Sequence, residues 1–125
     1  MRCRSLAILF AAACDTGGGA GPSIDAAPDS PPVPVVELSS CPAIVDATIM
    51  DSATMFIPKD SPVGRGGVVK FVITAEHFVL PNTLTTTDPA LNVGRGQTKC
   101  FRFNVAGTYG FLCGAHGFTG TVTVQ

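Results

Sequence analysis

Two histidines and one cysteine are the residues of this chain best suited to metal chemistry. Cys113 and His116 lie three residues apart with Gly114 and Ala115 between them, and the only other histidine is His77. The Cys-to-His run falls in a predicted tight loop between two strands, so its thiolate and imidazole can point at a common ion. With His77 the set offers two imidazoles and one thiolate, which are the strong ligands of a trigonal copper site.

The N-terminus is typical of an export signal. Arg2 and Arg4 precede residues 5–13, which are apolar after the first residue and too few to span a bilayer, since spanning takes about 20 residues. The stretch ends in three alanines and Cys14, which resembles a bacterial lipobox, in which the cysteine left after cleavage carries lipid. We predict a signal peptide over residues 1–13 and a lipid on Cys14. An ordinary signal peptide, or no export, are the alternatives.

Residues 14–34 form a predicted linker between that lipid anchor and a folded domain over 35–125. Residues 15–34 hold four of the fourteen glycines and five of the ten prolines, and Ile24 is their one large apolar residue before Val33. Such a stretch cannot bury enough apolar surface to offset its ordering entropy. We therefore expect a protein of the periplasm or cell envelope, held at a membrane only through its lipid. A secreted protein is the alternative.

Five cysteines are an odd number, so they cannot all pair within the chain. Cys41 and Cys100 lie at or beside predicted strands, and disulfides persist in exported proteins. We predict a disulfide between them, which would close a loop of about 60 residues and stabilise the fold by about 4 kcal/mol through chain entropy. Two unpaired buried thiols, or a pairing that involves Cys113, are the alternatives.

Charge and composition exclude two classes of protein. Eight basic and nine acidic residues give a net charge of -1, whereas a phosphate-binding surface needs a basic excess. We therefore expect no nucleic-acid partner. The carboxylates are scattered and neither Ser39 nor Ser40 has an adjacent histidine, so the chain offers no pair of nucleophile and base. We expect that it is not an enzyme.

Short apolar runs alternate with glycine and proline turn signals from Val35 onward, which is typical of a β-sandwich or barrel. No window shows an apolar stripe of helical period. Met50 and Met55 are expected in the core. The seven candidate strands cover residues 35–38, 43–50, 54–57, 68–74, 98–104, 108–113 and 120–124.

The segments around the three metal-ligand candidates resemble those of the cupredoxins, the small blue copper proteins of plastocyanin and amicyanin type. In that family an apolar strand precedes the first histidine. A Gly-x-Tyr-x-(Phe/Tyr)-x-Cys-x-x-His pattern then precedes a closing strand rich in valine. Here residues 68–73 precede His77, the pattern falls on 107–116, and residues 120–124 close the chain. The resemblance covers about residues 50–125.

The resemblance implies an all-β Greek-key sandwich of about seven to eight strands, with one type 1 copper ion held by His77, Cys113 and His116. It implies an electron carrier that cycles between Cu(II) and Cu(I) without chemistry on a substrate and meets transient redox protein partners as a monomer. His116 would pass the electron. The docking patch around it would consist of Gly114, Ala115, Gly117, Phe118, Leu80 and Pro81. A copper storage or delivery protein, and a metal-free β-sandwich interaction module, are the alternatives.

The axial ligand departs from the family pattern, and the loop from His116 to Gly120 is one residue shorter than in the amicyanin-like pattern. The family has a weakly bound methionine three or five residues after the second histidine, where this chain has Thr119 and Thr121. The axial position would be empty, or filled by the backbone carbonyl of Glu76 or by Gln125, since backbone and glutamine oxygens both occur at such sites. Because a weaker axial donor stabilises Cu(I), we expect a high reduction potential for the class.

Overall fold

The computed structural model describes residues 31–125, and Pro32–Gln125 form one compact unit. The predicted signal peptide, the lipid on Cys14 and most of the predicted linker lie outside these residues. Within the described range no helix is long and apolar enough to cross a membrane.

The described part of the chain contains nine strands, which form one four-stranded and one five-stranded sheet. The strands are β1 (Val35–Glu37), β2 (Ala47–Asp51), β3 (Phe56–Ile57), β4 (Asp60–Val63), β5 (Gly67–Val72), β6 (Val79–Pro81), β7 (Thr98–Phe103), β8 (Gly107–Cys113) and β9 (Thr119–Val124). Their order is β4-β9-β8-β6 in the smaller sheet and β1-β7-β5-β2-β3 in the larger. The prediction of an all-β sandwich is confirmed.

The structure has two strands that the sequence pattern did not predict, β4 and β6. They are the two edges of the four-stranded sheet, and each contains a proline, Pro62 in β4 and Pro81 in β6. Proline lacks the amide hydrogen of an inner strand but is tolerated at a sheet edge. Proline is therefore typical of a turn in the sequence, yet here it lies within two edge strands of the fold. These two strands raise the number of strands from the predicted seven or eight to nine.

The core lies between the sheets and is rich in phenylalanine. The ring of Phe111, in the four-stranded sheet, packs edge-to-face on Phe71 at 5.2 Å and on Phe56 at 4.9 Å, both in the five-stranded sheet. Phe71 also packs on Phe101 at 5.7 Å. Such pairs stabilise a fold by about 0.5–1.5 kcal/mol beyond their buried area. They join the two sheets next to the end of β8 that carries Cys113.

The expectation that Met50 and Met55 belong to the core is wrong. Met50 is 52% exposed and Met55 is 47% exposed. Successive side chains of a strand point to opposite faces, and the fully buried positions are taken by Ile49 in β2 and Phe56 in β3. The methionines beside them therefore face outward.

The predicted disulfide between Cys41 and Cys100 is present. Its Cα atoms are 5.2 Å apart, and the bridge joins the segment after β1 to β7 across a sequence separation of 59 residues. Among the described residues Cys113 is the free cysteine, and it is buried. The thiol needed by the predicted metal set is thus not consumed by the bridge.

Candidate metal centre

The three predicted ligand residues meet at one end of the sandwich. One ligand atom from each of His77, Cys113 and His116 lies within 4.8 Å of the other two. Cys113 is fully buried, His77 is 3% exposed, and His116 is exposed. The set therefore combines a buried thiol, a buried imidazole and an imidazole at the surface.

A tight loop after β8 places His116 over Cys113. The Gly117 amide donates to the Cys113 carbonyl at 2.7 Å, and the Cys113 amide donates to the Phe118 carbonyl at 2.8 Å. Gly117 has a φ of 81°, a backbone conformation that glycine adopts without steric cost. The loop closes so sharply that Nδ1 of His116 lies 3.8 Å from Sγ of Cys113.

His77 reaches the same place through β6, the edge strand that the sequence pattern did not predict. Val79, the first residue of β6, is paired with Cys113, the last residue of β8. The amide of Gly114 donates to the carbonyl of Phe78 at 3.1 Å and extends this pairing. Because His77 directly precedes these paired residues, the sheet register itself brings it beside the thiol.

Sequence reasoning missed Asp51, whose side chain contacts one of the candidate ligands. Its Oδ2 forms a short ion-pair contact with Nδ1 of His77, and the two side chains are 1% and 4% exposed. Asp51 ends β2, which pairs in parallel with β5 so that Met50 lies opposite Val72. No local spacing links Asp51 to His77, 26 residues away. Only the register of β2 on β5 places the carboxylate there.

Thr74 completes the surroundings of Asp51. Its amide donates to Oδ1 of Asp51 at 3.0 Å, and its hydroxyl donates to Oδ2 at 2.6 Å. Burial raises the pKa of Asp51, but the hydrogen bonds from the Thr74 hydroxyl, His77 and the Thr74 amide outweigh it and hold the pKa below its usual value. Asp51 is therefore a carboxylate at neutral pH.

Phe118 forms an aromatic wall of the site. Its ring packs edge-to-face on His77 at 5.3 Å and on Phe56 at 4.8 Å, and it lies parallel to the ring of His116 at 6.1 Å. The wall joins the ligand loop to the core. Cys113 is itself fully buried, so its thiol has no contact with bulk water.

The donor set fits a single copper ion. Thiolate and imidazole are ligands that suit copper and zinc, and two imidazoles with one thiolate are the set of trigonal blue-copper sites. In a trigonal site, bonds of about 2.0–2.3 Å place the ligand atoms about 3.5–3.8 Å from one another. Ligand atoms already within 4.8 Å therefore need to move toward one another by about 1 Å at most.

The structure rejects one candidate for the axial oxygen ligand, Gln125. The other candidate, the backbone carbonyl of Glu76, stays a prediction. Gln125 follows Val124, which is paired with Gly107, six residues from Cys113 along β8. At about 3.3 Å per residue this is about 20 Å away, so the expectation for Gln125 is wrong. The Glu76 carbonyl lies next to His77 and accepts a hydrogen bond from Nη1 of Arg95 at 2.9 Å.

Most residues of the predicted docking patch lie around His116 at the surface. Gly114, Ala115 and Gly117 are exposed, whereas Phe118 is half-buried. Leu80 is 37% exposed, and its Cδ1 lies 3.0 Å from the position of a side-chain Cβ on Gly114. The loop residues on either side of His116 are therefore small, uncharged and exposed.

No family model matches the sequence, and no curated protein matches it. Among solved structures, the amicyanin of Paracoccus versutus (Thiobacillus versutus) is similar with a TM-score of 0.56 and 16% identity, over 73% of this chain and 97% of that one. An oxidised amicyanin mutant gives 0.58 and 17%, and the Cu(I) form of another amicyanin mutant gives 0.60 and 18%. Each of these two covers 74% of this chain and 100% of its own. At such low identity the likeness establishes a shared fold.

Proposed function

We propose that this chain, which has the cupredoxin fold of amicyanin, is a type 1 copper protein that carries electrons and performs no chemistry on a substrate. His77, Cys113 and His116 would hold the ion. The observation that carries the proposal is the convergence of one buried thiol and two imidazoles, with ligand atoms within 4.8 Å of one another. When bound, copper supplies the one-electron couple between Cu(II) and Cu(I).

The protein's own contribution is to hold the ligands nearly still. Cys113 is the last residue of β8, and its carbonyl and amide both hydrogen-bond to the loop that carries His116. The His77 side chain is fixed by Asp51 and by the ring of Phe118. A site that changes shape little between the two oxidation states has a small reorganisation cost, which favours fast electron transfer.

The exposed His116 gives the electron its route to a partner. His77 and Cys113 are buried, so His116 is the one ligand of the set that a second protein can approach closely. The apolar surface of Gly114, Ala115, Gly117 and Leu80 would seat that partner. We expect a contact of the small, transient class, with less than about 1,200 Å² of buried surface.

The proposal includes the place where the carrier works. We infer export through the signal over residues 1–13, a lipid on Cys14, and a linker over residues 14–34 that holds a monomeric copper domain at the cell envelope. The sequence pattern of the N-terminus supports this part of the proposal. Mass spectrometry of the protein purified from membranes tests it, because a diacylglyceryl group on Cys14 adds a defined mass to the mature chain.

Copper binding is tested by adding Cu(II) to the purified protein and recording its visible and electron spin resonance spectra. We expect an intense thiolate-to-copper charge-transfer band and the narrow hyperfine splitting of a type 1 site. The matched control is Cys113→Ser, which should abolish the band and leave the Cys41–Cys100 disulfide intact. A wild-type protein without the band, whose Cys113 thiol still reacts fully with a thiol reagent after copper addition, would overturn the proposal.

Electron transfer is tested by voltammetry of the copper-loaded protein. A carrier gives a reversible one-electron wave with fast electrode kinetics, because its ligands barely move. A protein that stores or delivers copper would instead change its ligands or release the metal during the redox cycle and give an irreversible wave. That second outcome would leave copper binding intact and reject the carrier.

A further inference from the structure

We propose that Cys41 is a site of thiol–disulfide exchange in the folded protein, where a partner protein with a Cys-x-x-Cys dithiol makes and breaks the Cys41–Cys100 bridge. Cys41 is the sulfur that meets the partner, Cys100 is the sulfur that leaves or returns, and Cys113 takes no part. This exchange goes beyond the proposed electron transfer and needs no metal ion.

The bridge lies on the outer face of the five-stranded sheet. Phe101 and Phe103 of β7 point into the core, and successive side chains of a strand point to opposite faces. Cys100, which directly precedes Phe101, therefore points away from the core, whereas Cys113 belongs to the core. The five-stranded sheet thus separates the bridge from the free thiol of the candidate metal centre.

A cavity of about 280 Å³ adjoins the bridge, and both of its cysteines line that cavity. Cys100 is only 1% exposed, whereas Cys41 is half-buried. Glu37 and Lys99 also line the cavity and form an ion pair at 3.5 Å, so their charges offset each other and do not repel an anionic thiolate. The Cys41 end is therefore the side from which a thiolate can reach the bridge.

The segment that carries Cys41, residues 39–45, has few other attachments to the sheet. It connects β1 to β2 and crosses over β7 and β5, which lie between those two strands. Its backbone forms no hydrogen bond within the described part of the chain. The amides of Leu38 and Asp46, on either side of it, donate to carbonyls of the sheet at 2.8 Å. Once the bridge opens, the segment can lift Cys41 outward between these two fixed ends.

Reduction of the bridge at Cys41 balances as two exchange steps. A thiolate of the partner attacks Sγ of Cys41, a new S–S bond forms, and Cys100 leaves as a thiolate that takes a proton from water. The partner's second thiolate then attacks the partner sulfur of this mixed disulfide and releases Cys41, which is also protonated. The bridge has gained two electrons and two protons, and the partner's dithiol has become a disulfide. The same steps in reverse form the bridge.

This arrangement directs oxidation away from Cys113. Reactive cysteines are partly exposed, whereas buried ones are inert, and Cys113 is fully buried. In the folded, reduced chain an oxidised partner meets Cys41 first. Cys100 then completes the bridge, because its Cα lies 5.2 Å from that of Cys41. The exported chain can thus gain one disulfide and keep one thiol for a metal ion.

Trapping of the mixed disulfide tests the proposal on the full, metal-free wild-type chain in native buffer. The probe is a thioredoxin whose second active-site cysteine is replaced by serine, so that it cannot release a chain that it has attacked. Mass spectrometry of the adduct identifies the cysteine that carries the probe. We expect the probe on Cys41 and a free thiol at Cys100. A probe on Cys100 would overturn the proposal, and so would a bridge that reacts no faster than the whole protein unfolds.

Cys41→Ser and Cys100→Ser are a matched pair, because each removes the same bridge and leaves one of its two thiols. Oxidised glutathione is added to each variant, and the modification of each cysteine is followed over time. We expect Cys41 to react at least about 10-fold faster than Cys100, because a buried thiol reacts only after local opening. Cys113 should stay unmodified in both variants.

Urea supplies the control, since the difference between Cys41 and Cys100 should disappear when the fold that buries one of them is lost. Equal rates for the two cysteines in native buffer would contradict the assignment of Cys41 as the exchange site. The trapping experiment decides the proposal by itself if either variant fails to fold, because it uses the wild-type chain.

Discussion

The ring of Phe78 occupies the place where a side chain on Gly114 would lie. A Cβ at Gly114 would be 2.1 Å from Cε2 of that ring, and the Gly114 amide donates to the Phe78 carbonyl at 3.1 Å. The Arg95 guanidinium lies 4.8 Å from the centre of the same ring. The loop after Cys113 and the segment after His77 are therefore locked together by a contact that only glycine permits.

Gly114→Ala should destabilise the protein and distort the metal site. The methyl group forces Phe78 or the loop to move, and overpacking of this kind costs about 1–3 kcal/mol. We expect a lower denaturation midpoint for the metal-free protein and a changed Cu(II) spectrum. Gly64→Ala is the control, because nothing lies within 4 Å of its Cβ position. Equal stability of the two variants would contradict the close packing of Phe78 on Gly114.

The set of metal ligands was predictable because the chain has few histidines that could bind a metal ion. With only two histidines in the chain, a Cys-x-x-His run leaves little choice of ligands. The inner strands were predictable for a similar reason, since Phe101 and Phe103 alternate with the exposed Arg102 in β7. These features depend on residue type and on spacing along a single segment, which is information that a sequence holds locally.

The parts that sequence reasoning missed depend on pairing between distant segments. Asp51 joins His77 only because β2 lies parallel to β5, and neither residue marks the other in the sequence. The strand that sets His77 beside Cys113 contains Pro81, a residue that indicates a turn unless the strand is known to be an edge. Gln125 is a candidate axial ligand by residue type alone, and the antiparallel register of β8 and β9 puts it at the other end of the sandwich.

Reduction of the Cys41–Cys100 disulfide should lower stability without altering the metal site. The bridge closes a separation of 59 residues, for which chain entropy gives about 4 kcal/mol. We expect urea denaturation of the metal-free double variant Cys41→Ala/Cys100→Ala to show a loss of this order. The Cu(II) spectrum should stay unchanged, because Cys113 takes no part in the bridge. An unchanged midpoint would show that the bridge does not constrain the unfolded chain.

The two ligand histidines should differ in whether free imidazole can replace them. His116 is exposed and its removal opens a hole to solvent, whereas His77 is 3% exposed and lies against Asp51 and Phe118. We expect added imidazole to restore the Cu(II) charge-transfer band in His116→Gly and to restore little or none in His77→Gly. The denaturation midpoints of the two variants without imidazole are compared, to show that both are folded to the same extent. Equal rescue of both would contradict the difference in burial.

Tyr109 gives a spectroscopic view of the side of the sandwich away from the metal site. Its hydroxyl donates to the Val105 carbonyl at 2.6 Å, and its side chain packs on Phe103 at 5.3 Å. Burial raises the pKa of Tyr109, and the negative charge of Asp88 raises it further. The chain has one tyrosine and no tryptophan, so the phenolate absorbance reports this residue alone.

Stability should therefore fall at alkaline pH through Tyr109. A raised pKa means that the folded state holds the phenolic proton more tightly than the unfolded state. The stabilisation is complete below the unfolded pKa of about 10 and is lost as pH rises through the folded pKa. Phenolate absorbance should show a higher titration midpoint in native buffer than in denaturant. Tyr109→Phe should have a free energy of unfolding about 1 kcal/mol lower at neutral pH because the hydrogen bond is missing. At alkaline pH, where the phenol of the wild type titrates, the stability of this variant should fall less steeply. A native phenolate that titrates at or below the denatured one would contradict the burial of this hydroxyl.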